Sequence, residues 1–334
     1  MLVISVITGG AGFIGSNLVE KLLASGSSKV VVFDSLSYSG RRKNLPPDGK
    51  RFKFLKVDIT QEKELVNAWR IVKEFSADPI CLYHLAAESH VDRSIQSGKV
   101  FSETNVVGTQ LILESASANN VSRFLHVSTD EVYGSIIKGS ANERFPLNPT
   151  SAYSATKAAS DLLVLAHSST HNLEVVLTRC VNNYGARQLT EKLLPRLVNR
   201  AVRGLDLPIY GDGENLREWI HVSDHSEALM HVMKQGANRA IYNIGTGKRV
   251  TNYQIAELVK KYTKSNSKIT FVNNRLGHDF RYAVNSKRIR QELGWYPKIG
   301  FEMGIRDTVL EIMDNAQLEE NSAMFEATEK FYEQ

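Results

Sequence analysis

A glycine-rich turn near the start of the chain constrains the fold more than any other stretch. It reads GGAGFIG over residues 9–15 and follows residues 2–8, a largely apolar run rich in β-branched side chains. Such a run predicts a strand buried on both faces. Residues 17–24 have the pattern of an amphipathic helix, and residues 29–33 predict a second strand that ends at Asp34. The unit is therefore strand, turn, helix, strand and acid.

This arrangement is typical of a dinucleotide-binding site. Glycines let the turn close and let the backbone approach a pyrophosphate at the helix N-terminus, where free N–H groups and the helix dipole favour an anion. Asp34 is placed to accept hydrogen bonds from ribose hydroxyls, and a carboxylate there disfavours a 2′-phosphate. A glycine-rich turn alone is weak evidence, but here every part is in register. The sequence therefore predicts binding of NAD in preference to NADP.

Strands and helices alternate as far as about residue 180. Strands are predicted at residues 52–57, 80–85, 123–127 and 174–178, and helices at residues 61–75, 100–119 and 152–171. Repeated β–α units with apolar strands predict an α/β fold of the Rossmann type, with a doubly wound parallel sheet. Ligands bind at the carboxyl ends of such strands. The glycine-rich turn, Asp34, Asp58, residues 86–89 and residues 128–131 are all predicted to lie there.

The pattern becomes looser after Cys180. Turn-rich segments at residues 182–185 and 207–213 accompany helices predicted at residues 191–203, 224–233, 252–262 and 301–316, and residues 317–334 are charged and weakly patterned. We predict that residues 1–180 form an NAD-binding Rossmann domain with the catalytic residues. Residues 181–334 are predicted to form mainly a smaller C-terminal α/β lobe that closes over the edge of the sheet. Some segments, around residues 218–250, are expected to return to the first domain.

Composition and charge argue against several other classes of protein. The net charge of +5 is spread over short basic groups, so no nucleic-acid partner is expected, and a mildly basic surface suits an anionic small molecule. No apolar run is long enough to cross a membrane, and the first residues predict a strand rather than a signal peptide. The two cysteines, Cys81 and Cys180, lie in apolar strand-like runs. Buried thiols in a reducing compartment, the cytoplasm, are therefore expected.

Two clusters of titratable residues stand out. Asp130 and Glu131 directly follow a predicted strand, and burial beside Glu131 should raise the pKa of Asp130 above its usual value of about 3.9. Adjacent strand residues point to opposite faces, so we predict that the chain has left the strand by Asp130. Tyr153 and Lys157 are four residues apart, on one face of a helix. A nearby ammonium group lowers a tyrosine pKa, which predicts Tyr153 as a base toward a hydroxyl, and Lys157 could also hold the nicotinamide ribose.

Ten motifs carry a family resemblance. They occur in the order TGGAGFIGSN, HLAAESHVDRS, TNVVGT, STDEVYG, YSATK, RCVNNYG, LPIYGDGENLREWIHVSD, YNIGTG, RLGHDFRYAV and ELGW, over about residues 3–300. With these motifs the chain resembles the short-chain dehydrogenase/reductase superfamily, in its extended branch that acts on nucleotide sugars. Within that branch, Thr129-Asp130-Glu131 resembles the dTDP-glucose 4,6-dehydratases. Sugar 4-epimerases typically carry small residues after the Ser/Thr, whereas related decarboxylases carry Ser-Glu and GDP-mannose dehydratases also lack the Asp.

The resemblance implies a mechanism in which tightly bound NAD performs an internal cycle of oxidation, elimination and reduction. Tyr153 takes the proton of the sugar 4-hydroxyl, Glu131 removes the C5 proton, and Asp130 protonates the departing 6-hydroxyl. The product is a 4-keto-6-deoxy sugar. The implied catalytic residues are Thr129, Asp130, Glu131, Tyr153 and Lys157, and no metal is expected.

The resemblance also implies the binding residues. The residues expected to bind NAD are Gly9, Gly12, Phe13, Ile14, Gly15, Asp34, Asp58, Ile59, Leu85, Ala86, Ala87, Tyr153, Lys157 and Asn183. The residues expected to bind the nucleotide sugar are Ser89, Thr129, Asn182, Lys192, Leu193, Pro208, Tyr210, Arg217, Asn252, Arg275 and His278. Guanidinium forks such as those of Arg217 and Arg275 pair well with diphosphate oxygens, although without the family they could equally be surface arginines. A homodimer formed through residues 100–119 and 152–171 is implied in the same way.

Two departures from the family pattern fall in the nucleotide-binding lobe or its support. The usual proline-rich NNYGP…PEKL run is replaced by NNYGARQLTEK, and the Trp-Tyr of a late TVxWY helix is absent. They leave a UDP-glucose 4,6-dehydratase as an alternative, since it would share the catalytic residues. A 4-epimerase is disfavoured because epimerisation does not need the Asp130/Glu131 pair. An NAD-sensing or scaffold protein is disfavoured because such relatives tend to lose the Tyr or the Lys.

Overall fold

A seven-stranded parallel sheet forms the centre of the molecule, described here from a computed structural model that covers residues 3–75, 79–314 and 322–332. The strands all run parallel. From one edge to the other they are β10 (Ile241–Ile244), β6 (Val175–Cys180), β5 (Arg123–Thr129), β4 (Ile80–His84), β1 (Val3–Thr8), β2 (Ser28–Asp34) and β3 (Phe52–Lys56). The predicted Rossmann-type α/β fold is confirmed.

Helices cover both faces of this sheet. They are α1 (Phe13–Ala24), α2 (Glu62–Glu74), α3 (Val91–Gln96), α4 (Gly98–Ser102), α5 (Thr109–Ala118), α6 (Ala152–His171), α8 (Val222–Gln235) and α10 (Lys287–Leu293). Strand alternation divides the core in two, so that Val30 packs with the residues of one face and Val31 with those of the other. The predicted helix at residues 100–119 is interrupted, because a π-helical turn, Glu103–Gly108, separates α4 from α5.

A smaller lobe lies at the carboxyl side of the sheet. A three-stranded sheet contains β7 (Asn182–Tyr184), β9 (Leu216–His221) and β11 (Arg249–Thr251), and a two-stranded sheet pairs β8 (Leu207–Tyr210) with β12 (Ile269–Val272). Helices α7 (Leu193–Val202), α9 (Asn252–Thr263) and α11 (Phe301–Met313) enclose its core around Leu197, Trp219 and Ile255. The strand β10, from residues 241–244, lies in the large sheet rather than in this lobe. The division at residue 180 stays a prediction.

Element boundaries differ from the predicted ones mainly at their ends. Strand β5 extends to Thr129, two residues beyond the predicted end, and α8 starts at Val222 rather than at 224. A last helix, α12 (Ser322–Tyr332), forms where the sequence predicted only a weakly patterned segment. Some predictions fall on residues that the structure does not describe. They concern residue 2 of the first strand, residues 315–316 of the last predicted helix, and residues 317–321 and 333–334 of the tail. Among the described helices, none has the length and apolar character needed to span a membrane.

Candidate active site

One cavity of about 480 Å³ opens at the carboxyl ends of the parallel strands. All the residues predicted to bind NAD and all those predicted to act in catalysis line it. These are Gly9, Gly12, Phe13, Ile14, Gly15, Asp34, Asp58, Ile59, Leu85, Ala86, Ala87, Thr129, Asp130, Glu131, Tyr153, Lys157 and Asn183. The structure therefore brings together residues that are more than one hundred positions apart in the sequence.

The glycine-rich turn is shaped for a close approach of the backbone to a ligand. Gly9 has a φ of +71°, and a Cβ atom added there would lie 2.7 Å from the Ala86 nitrogen. A Cβ on Gly15 would lie 2.2 Å from the Gly9 oxygen. Helix α1 starts at Phe13 with Gly12 as N-cap, and no side chain caps it. An uncapped helix N-terminus at the cavity wall fits the pyrophosphate of NAD.

The Asp34 carboxylate is fixed beside this turn. Its Oδ2 accepts from the Ala11 N–H at 2.9 Å and its Oδ1 from the Leu36 N–H at 2.8 Å. Burial raises the pKa of Asp34, and the two N–H donors act against that rise. Each carboxylate oxygen can accept a further hydrogen bond. Asp34 therefore fits the two adenosine ribose hydroxyls of NAD.

The two adjacent carboxyl groups lie on a single 3₁₀ turn. Strand β5 ends at Thr129, and Asp130–Tyr133 forms the turn. The Thr129 hydroxyl accepts from the Glu131 N–H at 3.2 Å, which ties the start of the turn to the strand. The chain has thus left the strand at Asp130, as predicted. Both side chains line the cavity, an arrangement that a regular strand would not allow.

The surroundings of the two carboxyl groups differ in charge. Burial raises the pKa of Asp130 well above its ordinary value, and the neighbouring Glu131 and Glu218 carboxylates raise it further. Burial also raises the pKa of Glu131, but Arg275, Arg217 and Lys192 lower it. Of the two, Asp130 is therefore the group better placed to keep its proton, and Glu131 is the one at which three cations oppose the effect of burial.

Tyr153 and Lys157 lie one turn apart on α6 and face the same cavity. The Lys157 ammonium donates to the Val127 carbonyl at 2.8 Å, and burial lowers its pKa to about 8. Burial raises the pKa of Tyr153 well above its ordinary value, the Glu131 carboxylate raises it further, and a hydrogen bond with Thr129 lowers it. The expectation that Lys157 lowers the pKa of Tyr153 is therefore wrong for this structure. The reason is that the ammonium group is bound to a backbone carbonyl while carboxylates face the phenol.

The residues predicted to bind the nucleotide sugar fall into two groups. Ser89, Thr129, Asn182 and Lys192 line the cavity, and the Lys192 ammonium donates to the Ser89 carbonyl at 3.1 Å. The others are in the smaller lobe or its connections and are not part of the cavity lining: Leu193, Pro208, Tyr210, Arg217, Asn252, Arg275 and His278. The rings of Tyr210 and His278 meet edge to face at 6.0 Å.

Arg217 is not a surface arginine. It is 5% exposed, and its guanidinium donates to the carbonyls of Leu216 at 2.9 Å and Asp279 at 2.8 Å. Its guanidinium carbon lies 4.2 Å from the centre of the Tyr282 ring. These bonds hold the side chain while leaving other N–H groups of the fork for a ligand.

Sequence reasoning missed several residues at the site, among them Tyr282, Gln188 and His225. The Tyr282 hydroxyl lies 2.9 Å from an Asp279 oxygen and 3.4 Å from a Glu131 oxygen. The sequence feature that could have identified Tyr282 is its position within the motif RLGHDFRYAV. Gln188 and His225 line the cavity, and His225 Nδ1 lies 2.9 Å from Asn183 Oδ1. His225 lies four residues after His221 in the sequence, a spacing that also occurs in metal sites.

That histidine pair is not a metal site. His221 caps helix α8, its Nδ1 accepting from the Ser223 N–H at 3.1 Å. Burial lowers the pKa of His225 to about 3. Within the described ranges, no group of histidine, cysteine and acidic side chains could hold a metal ion.

Comparisons with known proteins cover almost the whole chain. A family model described as GDP-mannose 4,6 dehydratase matches residues 6–308. A dTDP-glucose 4,6-dehydratase of Actinoplanes sp. is 44% identical over 313 residues, which are 91% of this chain and 96% of that protein. The low-salt glycan biosynthesis protein Agl12 of Haloferax volcanii is 44% identical over 307 residues, with coverage of 91% and 96%. The crystal structure of DesIV, a dTDP-glucose 4,6-dehydratase of Streptomyces venezuelae with NAD and dTDP bound, matches at a TM-score of 0.88 and 43% identity, covering 93% of this chain and 97% of that one.

Proposed function

We propose, since the chain belongs to the family of nucleotide-sugar 4,6-dehydratases, that it converts dTDP-glucose to dTDP-4-keto-6-deoxyglucose. The reaction takes place in the cavity at the carboxyl ends of the parallel strands. The protein is an NAD-dependent hydro-lyase. The observation that carries the proposal is the placement of Asp130 and Glu131 on one turn, facing the cavity that Tyr153 and Lys157 also line. Epimerisation at C4 has no use for this pair of carboxyl groups.

Bound NAD supplies the acceptor, and later the donor, of the hydride. The side chains of this protein carry the protons. Tyr153 accepts the proton of the sugar 4-hydroxyl; its hydrogen bond with Thr129 favours the phenolate, against burial and the Glu131 carboxylate, which favour the phenol. A ketone at C4 acidifies the C5 proton, which Glu131 removes as an anion stabilised by Arg275 and Arg217. Asp130, held protonated by burial and by Glu131, gives its proton to the departing 6-hydroxyl, so that water leaves.

The binding residues are part of the same proposal. The glycine-rich turn and Asp34 hold NAD, supported by the fit of an uncapped helix N-terminus and of a fixed carboxylate to pyrophosphate and ribose. Arg217 and Arg275 receive the diphosphate of the nucleotide sugar, supported by their position beside Glu131.

Substrate choice can be tested directly. Purified protein is incubated with dTDP-glucose, UDP-glucose and GDP-mannose, and the alkali-induced absorbance of a 4-keto sugar is followed. We expect the highest kcat/KM with dTDP-glucose. A preference for UDP-glucose would establish the alternative, which the replaced run at residues 186–192 leaves open because Gln188 and Leu189 of that run line the cavity. The absence of product from all three would favour a sensor of NAD.

A homodimer is proposed through the helices α4, α5 and α6. Val107, just before α5, is 51% exposed and Leu162, on α6, is 59% exposed, so that both present apolar surface to the outside of the subunit. Sedimentation equilibrium should give twice the subunit mass for the wild type and one subunit mass for Leu162→Asp. Leu310→Asp is the matched control, because Leu310 is 51% exposed on α11. A monomeric wild type would contradict the proposal.

The cytoplasm is proposed as the compartment. Cys180 is buried, Cys81 is half-buried, and both are free thiols. Unpaired cysteines persist in reducing surroundings.

A further inference from the structure

Helix α12 contacts both the smaller lobe and the segment that follows strand β4. It lies beyond residue 308, where the match to the family model ends. On the side of the smaller lobe, Glu329 forms ion pairs with Arg196 and Arg200 of α7, and Arg203 stacks 4.4 Å from the centre of the Phe325 ring. The helix is thus held to α7 by charge and by aromatic contact.

The other end of α12 reaches the first domain. The Tyr332 hydroxyl donates to Asp92 Oδ2 at 3.0 Å, and Arg196 lies 3.6 Å from the centre of the Tyr332 ring. Phe331 meets His90 edge to face at 5.8 Å. Because Asp92 and His90 follow strand β4, whereas Arg196 belongs to α7, the end of α12 bridges the cleft from one side to the other.

Asp92 links this helix to Arg275, which is proposed to bind the diphosphate of the substrate. Its second oxygen, Oδ1, accepts from Arg275 Nη1 at 3.2 Å, and the side chains of Arg275 and Asp92 are only 20% and 14% exposed. Arg275 Nε is buried and has no hydrogen-bond partner in the described ranges. One edge of the guanidinium is therefore fixed by Asp92, while the remaining donors are unused.

We propose that Tyr332 and Asp92 are positioning residues for Arg275, and that α12 holds them so that the guanidinium faces the diphosphate of the nucleotide sugar. The inference rests on the proposed function. Tyr332 binds one carboxylate oxygen of Asp92 and thereby fixes the plane of the carboxylate. The other oxygen then fixes the guanidinium, so that less rotational freedom is lost when the diphosphate binds.

The test compares Tyr332→Phe and Asp92→Asn with the wild-type holoenzyme. Tyr332→Phe removes the hydroxyl donor and keeps the ring beneath Arg196. We expect a rise in KM for dTDP-glucose of roughly 3- to 10-fold with kcat within about twofold, because a hydrogen bond to a charged group is lost away from the reacting atoms. Affinity for dTDP should fall by a similar factor, whereas binding of thymidine, which lacks the diphosphate, should not change. Tyr296→Phe is the control, because Tyr296 is a 58% exposed tyrosine that also lies beside an arginine, Arg290.

A double-mutant cycle separates positioning from a general loss of structure. In an Arg275→Ala background, Tyr332→Phe should have no further effect on dTDP affinity, because the residue through which it acts is gone. Additive losses, or an unchanged KM in both single variants, would overturn the inference. A lower KM in Tyr332→Phe would also overturn it, since α12 would then obstruct the site. If the wild type neither binds dTDP nor converts dTDP-glucose, the proposed function itself fails and the inference fails with it.

Discussion

Single residues decide which reaction this site performs, and the decisive ones are Asp130 and Glu131. They are neighbours in sequence, share one turn and line the same cavity, and burial raises the pKa of both, but the charges around them differ. Carboxylates raise the pKa of Asp130, whereas arginines and a lysine lower that of Glu131. This separation gives one proton donor and one proton acceptor from two similar side chains.

Asp130→Asn tests the role of the acid. An amide cannot donate the proton that the departing 6-hydroxyl needs, so kcat should fall by about 100-fold or more. Removal of the C4 hydride does not need Asp130, and therefore the enzyme-bound nicotinamide should still become reduced on mixing with dTDP-glucose. Stopped-flow absorbance of the reduced nicotinamide and steady-state product formation measure the two steps. Turnover equal to that of the wild type would contradict the assignment.

Glu131→Gln tests the base by isotope exchange. In deuterated water, the wild type should place solvent deuterium at C5 of the product, because the proton removed there exchanges before it is replaced. The variant should lose this exchange by a factor of about 100 or more, since glutamine cannot accept the proton. NMR of the sugar after partial reaction measures the label. Rapid exchange in the variant would assign the base to another group.

At the level of secondary-structure elements, the 3₁₀ turn depends on the glycine that ends it. Gly134 has a φ of +67°, and a Cβ there would lie 2.2 Å from the Asn148 oxygen. Gly139 has a φ of +71°, but a Cβ there would meet nothing within 4 Å. The two positions share a positive φ, which disfavours a side chain, and differ in the clash that a Cβ would make.

Gly134→Ala should therefore cost more than Gly139→Ala. The control should lose about 1 kcal/mol of unfolding free energy from its positive φ alone and keep its activity. Gly134→Ala adds a backbone clash that must shift the turn, so we expect a larger loss of stability and a fall in kcat of at least about tenfold. Urea unfolding and initial rates measure both. Equal effects of the two substitutions would show that the contact with Asn148 does not shape the turn.

The sequence predicts those elements whose cause is local. The strand before Gly9, the glycine turn and the apolar periodicity of α6 each follow from neighbouring residues, and the end of β5 before Asp130 followed from the need for two carboxyl groups on one side. The π-helical turn before α5 was not predicted; its last residue, Gly108, lies against Ile59, a residue remote in sequence. The raised pKa of Tyr153 was missed for a similar reason, since Glu131 approaches Tyr153, and the Val127 carbonyl binds Lys157, only in the folded chain. Helix α12 contacts α3, α7 and the segment before α3. Because these contacts are remote in sequence, the pattern of residues within α12 predicts the helix only weakly.

On the scale of the whole molecule, the sheet buries several uncharged histidines. His84 lies between two threonines, with Nδ1 at 2.7 Å from Thr8 Oγ1 and Nε2 at 3.0 Å from Thr109 Oγ1. His126 stacks on His84 at 5.4 Å, and burial and the nearby Lys157 lower the pKa of His126 to about 4. Each of these side chains must become charged when the protein unfolds in mild acid.

His126→Gln isolates this effect. The pKa of His126 is about 4 in the folded protein and 6.5 when exposed, so between these values the unfolded chain binds more protons and stability falls as the pH falls. Once the pH is below both pKa values, His126 alone has lowered the free energy of unfolding by roughly 3 kcal/mol. Buried carboxyl groups with raised pKa values act in the opposite direction, but they are common to both proteins. We expect the unfolding midpoint of His126→Gln to fall less steeply than that of the wild type between pH 6.5 and pH 4. This difference in slope is expected even if the two proteins already differ in stability at pH 8. His231→Gln, a change at a side chain that is 37% exposed, should keep the wild-type slope. Parallel curves for His126→Gln and the wild type would mean that His126 is not the residue that couples stability to pH.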